Sequence, residues 1–464
     1  MGFVKQGEDM GKMVSINPAT GEVNGEFELY SASRINTAIK KAGTAFIEWK
    51  NLDVSERAEY LNNAAKVLRR RKNELGKIIT MEMGKVIKES VPEIEKCALA
   101  FEYFAQNTGG FLEPEIVETD AKKAYVEFVP RGVLLGIMPW NFPFWQAIRF
   151  CAPALAGGNV VLLKHSSYVP MCALELERVF SDAGFHDGIF QTLLIDGQTA
   201  ESLIGRKEIN AVSLTGSISA GQKVAQACGK NMKKVVLELG GSDPFIVLAD
   251  ADIEEAARTG VTSRFQNAGQ SCIAAKRFIV EESVAEEFTR KFVEIASGLK
   301  VGDPMEMDTD IGPLVRDQQI ELLEEQVRDA LSSGAKAILE GGRLNREGFF
   351  YSPVILSHVT KEMKVQNEET FGPVAPIVPV NDEKEAISLA NATDFGLGAS
   401  IWSKDIHRAL LLARNIQSGI IAVNSPVRSD PRLPFGGVKK SGTGRELSKF
   451  GLYEFMNIIS ISVY

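Results

Sequence analysis

The chain has 464 residues, 45% hydrophobic and 24% charged, with a formal net charge of −8. Such a length favours two packed domains over one core, and no apolar run approaches the roughly 20 residues needed to cross a bilayer, which argues against a membrane role. The acidic balance, opposed only by the short basic run Arg69-Arg70-Arg71-Lys72, argues against a nucleic-acid partner. Five cysteines, Cys97, Cys151, Cys172, Cys228 and Cys272, are odd in number and scattered, without a CxxC pair or metal-ligand spacing. That usage fits a reducing compartment and no bound metal. No apolar signal region opens the chain, and Gln6 stands where a myristoylation signal prefers Ser or Thr. A cytoplasmic location is expected.

In chain order, residues 32–106 read as helices: Arg57 to Arg71 and Ile94 to Phe104 carry apolar residues three and four apart, with charges between. Residues 111–129 break that pattern and read as extended, with Lys122 and Lys123 at a turn. From 132 to 250, β-rich apolar runs follow at Gly132 to Met138, Val160 to Lys164, Ile189 to Ile195, Ala211 to Thr215, Val235 to Leu239 and Phe245 to Leu248. Runs apolar on both faces suit buried parallel strands, and the segments 144–157, 170–184 and 218–230 are long enough for crossover helices, so a Rossmann-like unit is predicted. A second alternating series takes in Arg277 to Val280, the helix Glu321 to Ser333, then Ala337 to Leu339, Ala375 to Val380 and Ile420 to Val423, and predicts a second α/β domain. The tail Ile458 to Tyr464 reads as an edge strand of the kind that pairs between subunits.

Several residues carry candidate chemistry. Cys272 ends the string Asn267-Ala268-Gly269-Gln270-Ser271-Cys272; a thiolate can add to an aldehyde carbon, and the hemithioacetal formed can lose hydride to a nicotinamide and leave a thioester. An arbitrary cysteine is more often a small buried hydrophobe. Glu238 closes an apolar strand before Gly240-Gly241, where partial desolvation raises a carboxyl toward the range of a general base. Backbone amides satisfying the same glutamate are an equal alternative on local sequence. Asn141 lies in Pro139-Trp140-Asn141-Phe142-Pro143, with Pro143 suited to the first turn of a helix; an asparagine there is commonly a cap. No Gly-x-Gly-x-x-Gly occurs, and Leu214-Thr215-Gly216-Ser217-Ile218-Ser219-Ala220-Gly221 follows a strand instead. By itself that string is a plain turn between strand and helix.

Together these strings, with Glu368-Glu369-Thr370-Phe371-Gly372-Pro373 and the block Pro434 to Glu446, resemble the NAD(P)-dependent aldehyde dehydrogenase superfamily, from about Asn17 to the end. The resemblance implies a Rossmann-type cofactor domain, a second α/β catalytic domain and a small β oligomerisation element. It implies Cys272 as nucleophile, Glu238 as base and Asn141 as oxyanion donor. It also implies a cofactor held by Trp140, Lys164, Ser166, Ser167, Gly216, Ser217, Glu369 and Phe371. The expected division is a dinucleotide-binding domain of residues 1–110 and 130–240, a catalytic domain of 241–445, and a bridging segment of 111–129 and 446–464. A homodimer or homotetramer is the expected assembly.

Two departures from the general pattern bear on specificity. Ser167 stands where many NAD-specific relatives have an acidic residue, so the repulsion of a 2′-phosphate is gone and NADP is expected to be accepted alongside NAD. Arg149, four residues after Trp145 on one helix face, stands where relatives using apolar aldehydes often have an aromatic, and is expected to clamp a substrate carboxylate. A structural ion pair is its alternative. Ser429, in the loop that caps the tunnel in relatives, adds a donor. These features look like bacterial and archaeal succinate-semialdehyde dehydrogenases. Glutarate-semialdehyde, lactaldehyde or broad-range aldehyde oxidation are the rivals within the superfamily. A Cys-dependent hydrolase or acyltransferase is the rival outside it, and it would need a histidine partner that none of His165, His186, His358 and His407 offers by motif.

Overall fold

The computed structural model describes residues 7–9 and 11–464, so the Met1 to Gln6 stretch considered for acylation lies outside the described residues. The described chain opens on three antiparallel strands, Gly7–Asp9, Lys12–Ile16 and Val23–Glu28, and three helices follow. Ser31 caps Ala32–Trp49 through the Arg34 N–H, and a reciprocal capping box of Asp53 and Glu56 starts Val54–Met83. Gly84, at φ 80, ends that second helix in the left-handed conformation that glycine tolerates. A third helix, Ile87–Phe111, follows, so Phe111 is helical rather than the start of an extended segment.

The first sheet has six strands, in the order Gly442–Thr443, Lys234–Glu238, Ile209–Thr215, Val133–Ile137, Val160–Lys164 and Phe190–Thr192. All pair in parallel except the short Gly442–Thr443. The chain moves outward from Val133–Ile137 to one side, then returns and continues on the other. That reversal leaves a crevice at the carboxyl ends of Val133–Ile137 and Ile209–Thr215, the place where open α/β sheets bind ligands. The third run is shorter than Ile189 to Ile195: Leu193 N–H still donates to the Leu163 carbonyl of the neighbouring strand at 2.7 Å, and Ile195 N–H then turns back to the Leu193 carbonyl.

The second sheet runs Lys336–Leu339, Val354–Ser357, Val374–Val380, Ala275–Glu281, Asp243–Val247, Gly398–Trp402 and Ile420–Val423, parallel throughout except for its first pair. Two corrections arise here. Phe245 belongs to this sheet and not to the first, because Gly240 and Gly241 carry the chain out of one ladder and into the next. Gly398–Trp402 is fully buried yet too rich in Gly, Ala and Ser to stand out as an apolar run. A third, separate sheet pairs Met456–Val463 with all of Lys123–Pro130, and adds Glu115–Ile116. Among the described residues no helix is long and apolar enough to cross a membrane.

Two helices that begin with proline receive their caps from elsewhere. Pro143–Ala156 and Pro170–Asp182 have no side-chain cap of their own. Glu93 accepts the Phe144 and Trp145 N–H groups at 3.0 Å each, and Glu82 accepts those of Met171 and Cys172 at 2.9 and 2.8 Å. Carboxylates at helix N-termini satisfy orphan donors and meet the positive end of the dipole. Glu93 also holds the buried Lys85 ammonium. Glu93→Ala is expected to lower the urea midpoint, corresponding to on the order of 3 kcal/mol, since it leaves Lys85 and two amides without partners. An unchanged midpoint would show that water replaces the carboxylate.

Candidate active site

The helix Ile253–Phe265 ends in a turn where Asn267, Ala268 and Gly269 all have positive φ, at 53, 53 and 75°. Left-handed conformations in two non-glycine residues are costly and persist only where the surroundings enforce them. Gly269 is required: a Cβ there would lie 2.4 Å from the Gly372 carbonyl oxygen. Two buried cations do the enforcing. Arg264 donates to the carbonyls of Gly269 (2.8 Å), Gly372 (2.7 Å) and Ala275 (3.1 Å). Lys276 Nζ donates to the carbonyls of Ser271 (2.8 Å) and Cys272 (2.7 Å). The Cys272 thiol is thereby fixed at the point where two cavities meet, since it lines both. Burial pushes the thiol up to about 11, opposed by the charges of Arg149 and Lys276.

Asn141 follows the strand Val133–Ile137. Its Oδ1 accepts from Gln146 Nε2 at 3.0 Å, which settles the amide orientation and turns Nδ2 toward the Gln270 carbonyl, also at 3.0 Å. An amide nitrogen has two hydrogens, so one remains for an oxyanion beside Cys272. The Cys272 N–H meets no protein acceptor among the described residues. Gln146 escaped the sequence reading; only its spacing five residues after Asn141 on a helix start offered a signal.

Glu238 ends the strand Lys234–Glu238 and is 2% exposed, and neither carboxylate oxygen has a hydrogen-bond partner. Burial, and then the nearby Glu446 charge, raise its carboxyl well above the ordinary range, while Arg149 and Arg445 oppose them. The carboxyl-terminal block closes around it: Glu238 pairs with Gly442, and a Cβ on Gly436 would stand 2.5 Å from Glu238 Oε1. A buried carboxyl without protein partners contributes little to holding the fold together, and once ionised it is a stronger base than an ordinary carboxylate.

One cavity, of about 380 Å³, lies in the crevice of the first sheet and is lined by Trp140, Asn141, Gly216, Ser217, Glu369 and Phe371 among others. Ser217 caps the helix Ile218–Lys230, whose amino terminus faces an anion favourably. Glu369 Oε1 accepts the Gly241 N–H at 3.0 Å and lies 3.6 Å from Lys276, and Trp140 and Phe371 meet edge to face at 5.8 Å. Lys164, Ser166 and Ser167 are not in its lining; they follow the neighbouring strand Val160–Lys164, where Ser166 N–H donates to His165 Nδ1. Arg316, Gln319 and Gln326 also line the cavity and carried no motif.

The other cavity, of about 690 Å³, is lined by Trp145, Arg149 and Ser429, so the three predicted substrate residues come together. Arg149, however, is not a free cation. Its Nε holds the buried Glu446 carboxylate, its Nη2 lies 3.4 Å from Thr215 Oγ1, and its guanidinium stacks over Phe435 at 4.2 Å. The ion pair and the cavity position therefore belong to one side chain. Ser429 Oγ accepts from Trp145 Nε1 at 3.0 Å and from Lys96 Nζ at 2.6 Å. Among the described residues no group of His, Cys, Asp and Glu side chains is arranged to hold a metal.

The sequence matches the Aldehyde dehydrogenase family over residues 3–461. It is 45% identical, over 96% of this chain and 98% of the relative, to a probable succinate-semialdehyde dehydrogenase (NADP+) of Synechocystis sp.. A succinate-semialdehyde dehydrogenase (NADP+) of Mycobacterium tuberculosis is 44% identical over 97% of this chain and 99% of its own length. Among solved structures, the succinic semialdehyde dehydrogenase of Streptococcus pyogenes in complex with NADP+ superposes with a TM-score of 0.95, at 36% identity over 97% of this chain and 99% of that one.

The raised thiol has a testable consequence. Because the thiolate is the reactive form, alkylation of Cys272 by iodoacetamide in the cofactor-free protein is expected to rise roughly tenfold per pH unit from pH 7 to 9. No plateau should appear below about pH 10, with Cys272→Ala as the blank. A plateau at neutral pH would reveal a thiolate that Arg149 and Lys276 stabilise outright.

Proposed function

The chain belongs to the aldehyde dehydrogenase family, and we propose that it oxidises succinate semialdehyde to succinate with NADP, and less readily NAD, as cofactor. As a family member it is an oxidoreductase acting on an aldehyde. The observation that carries the proposal is the meeting of the crevice at the carboxyl ends of the first sheet and a cation-lined cavity at one cysteine, Cys272.

In this reading the Cys272 thiolate adds to the aldehyde carbon, and the oxygen that gains charge is received by Asn141 Nδ2 and the Cys272 N–H. When bound, the nicotinamide accepts the hydride leaving that carbon, and a thioester on Cys272 remains. Glu238 takes a proton from water, whose oxygen attacks the thioester, releases the acid and returns the thiol. Ser217 and Gly216, at a helix amino terminus, suit the pyrophosphate. Glu369 suits a ribose hydroxyl, with Trp140 and Phe371 beside it. Lys164, Ser166 and Ser167 suit the adenosine ribose, and no carboxylate at position 167 opposes a 2′-phosphate. The cofactor-binding role of residues 1–110 and 130–240, and the catalytic role of 241–445, are part of the same proposal. So are a cytoplasmic location, which suits five unpaired cysteines, and a homodimer or homotetramer formed through 111–129 and 446–464, where Ile116 and Ile458 are exposed.

Two measurements test this. Reduced-nicotinamide absorbance is followed with succinate semialdehyde and butyraldehyde, each against NAD and NADP. A strong preference for the carboxylated aldehyde is expected; comparable rates would move the assignment to a broad-range enzyme. Ser167→Glu is expected to raise the KM for NADP at least tenfold while leaving NAD nearly unchanged, by the repulsion of two anionic groups. An unaltered NADP/NAD ratio would remove Ser167 from cofactor selection.

A further inference from the structure

The substrate-side cavity contains more charge than the sequence motifs indicated, and most of it is already matched. Lys88 pairs with Asp310 at 2.6 Å. Arg149 is held by Glu446. Glu89 accepts the Asn267 N–H at 2.8 Å, and burial raises its carboxyl to about 7. Arg428 is exposed on the capping loop. Lys96, on the helix Ile87–Phe111, differs from all of these. Its ammonium sits 4.2 Å from the centre of the Trp145 ring and donates to Ser429 Oγ, and among the described residues no carboxylate lies within 4.0 Å of it. It is thus the cation of this wall that is drawn out of water without an anion to receive it.

The hydrogen-bond inventory at Ser429 points the same way. Its hydroxyl accepts from both Lys96 Nζ and Trp145 Nε1, which occupies its two lone pairs. The hydroxyl proton must therefore be directed elsewhere, and Ser429 lines the cavity. A charged donor and a hydroxyl donor converge where an apolar aldehyde would find no use for either. A carboxylate, by contrast, accepts from both.

We propose that Lys96, with Ser429 as the donor it orients, binds the distal carboxylate of the substrate and so sets the preference for an ω-carboxylated aldehyde. This rests on the semialdehyde reading given above. Arg149, neutralised by Glu446, then shapes the cavity beside Cys272 rather than supplying its net positive charge. Burial pushes the Lys96 ammonium down only to about 8, so at neutral pH it is still mostly charged.

The test compares Lys96→Met, which keeps an unbranched stem over Trp145, with wild-type enzyme on succinate semialdehyde and butyraldehyde at saturating NADP. Loss of a charged hydrogen bond predicts a fall in kcat/KM on the order of 30-fold for the semialdehyde, mostly through KM, with butyraldehyde within about twofold. Lys96→Arg should keep most of the preference, since it restores a cation. Lys96→Gln serves as a second neutral variant if the methionine form does not fold. Equal losses on both aldehydes would assign Lys96 a structural role and overturn the proposal. A wild-type preference that survives in the neutral variants would overturn it too, while leaving the semialdehyde reading intact. A wild-type enzyme without any preference would sink that reading first, and this proposal with it.

Discussion

Two buried cations bonded to backbone carbonyls, Arg264 and Lys276, hold the geometry on which the rest of the site depends. Their hydrogen-bond partners are carbonyl oxygens, of Gly269, Gly372 and Ala275 for Arg264 and of Ser271 and Cys272 for Lys276, which also has the Glu369 carboxylate 3.6 Å away. Carbonyls are weaker partners than carboxylates, and burial accordingly pushes the Arg264 guanidinium down to about 9 and the Lys276 ammonium below its ordinary value. The arrangement holds three consecutive left-handed residues in place and engages the carbonyls of Gly269, Ser271 and Cys272. Among the described residues the Cys272 N–H meets no protein acceptor, and the Asn141 amide lines the same cavity as the thiol. A loop free to relax would lose that placement, and with it the shared position of Cys272 in both cavities.

The same loop is tied to the cofactor side. Lys276 lies 3.6 Å from Glu369, whose carboxylate also accepts the Gly241 N–H. Gly241 in turn passes so close beneath the nucleophile turn that a Cβ would sit 2.7 Å from the Cys272 carbonyl oxygen. The crossing from one sheet to the other, the proposed ribose contact and the proposed nucleophile are therefore one packed unit. On the substrate side, Glu93 fixes the start of the helix that carries Trp145 and Arg149, and does so from the helix that also carries Lys96.

Much of this was legible before any coordinates. Strands such as Val160–Lys164 announce themselves because burial on both faces demands an unbroken apolar run, and the crossover helices follow from the length between such runs. Cys272, Glu238 and Asn141 were singled out because each sits in a string that resembles the superfamily's; on local sequence alone a buried thiol, a glutamate held by backbone amides and a helix cap read as well or better. The strand Gly398–Trp402 was not, since small residues suffice where neighbouring strands and helices supply the bulk. Gln146 and Lys96 were not, because a glutamine or lysine on a helix is ordinary until a partner from a distant segment faces it. Arg149 shows the same limit from the other side: its position was legible, its partner Glu446, 297 residues away, was not.

By itself, then, the sequence determined the alternation of elements, the strings that bring chemistry and the absence of a membrane-crossing run, all of which depend on short-range periodicity and local turn preferences. Tertiary structure alone decided which charges are matched and which are left over. It assigned Glu82 and Glu93 as caps for helices that begin with proline, spent Arg149 on Glu446, and left Lys96 facing a hydroxyl and an indole. The reason is physical: the energy of a buried charge is set by the few ångströms around it, and those neighbours come from segments that folding brings together across hundreds of residues.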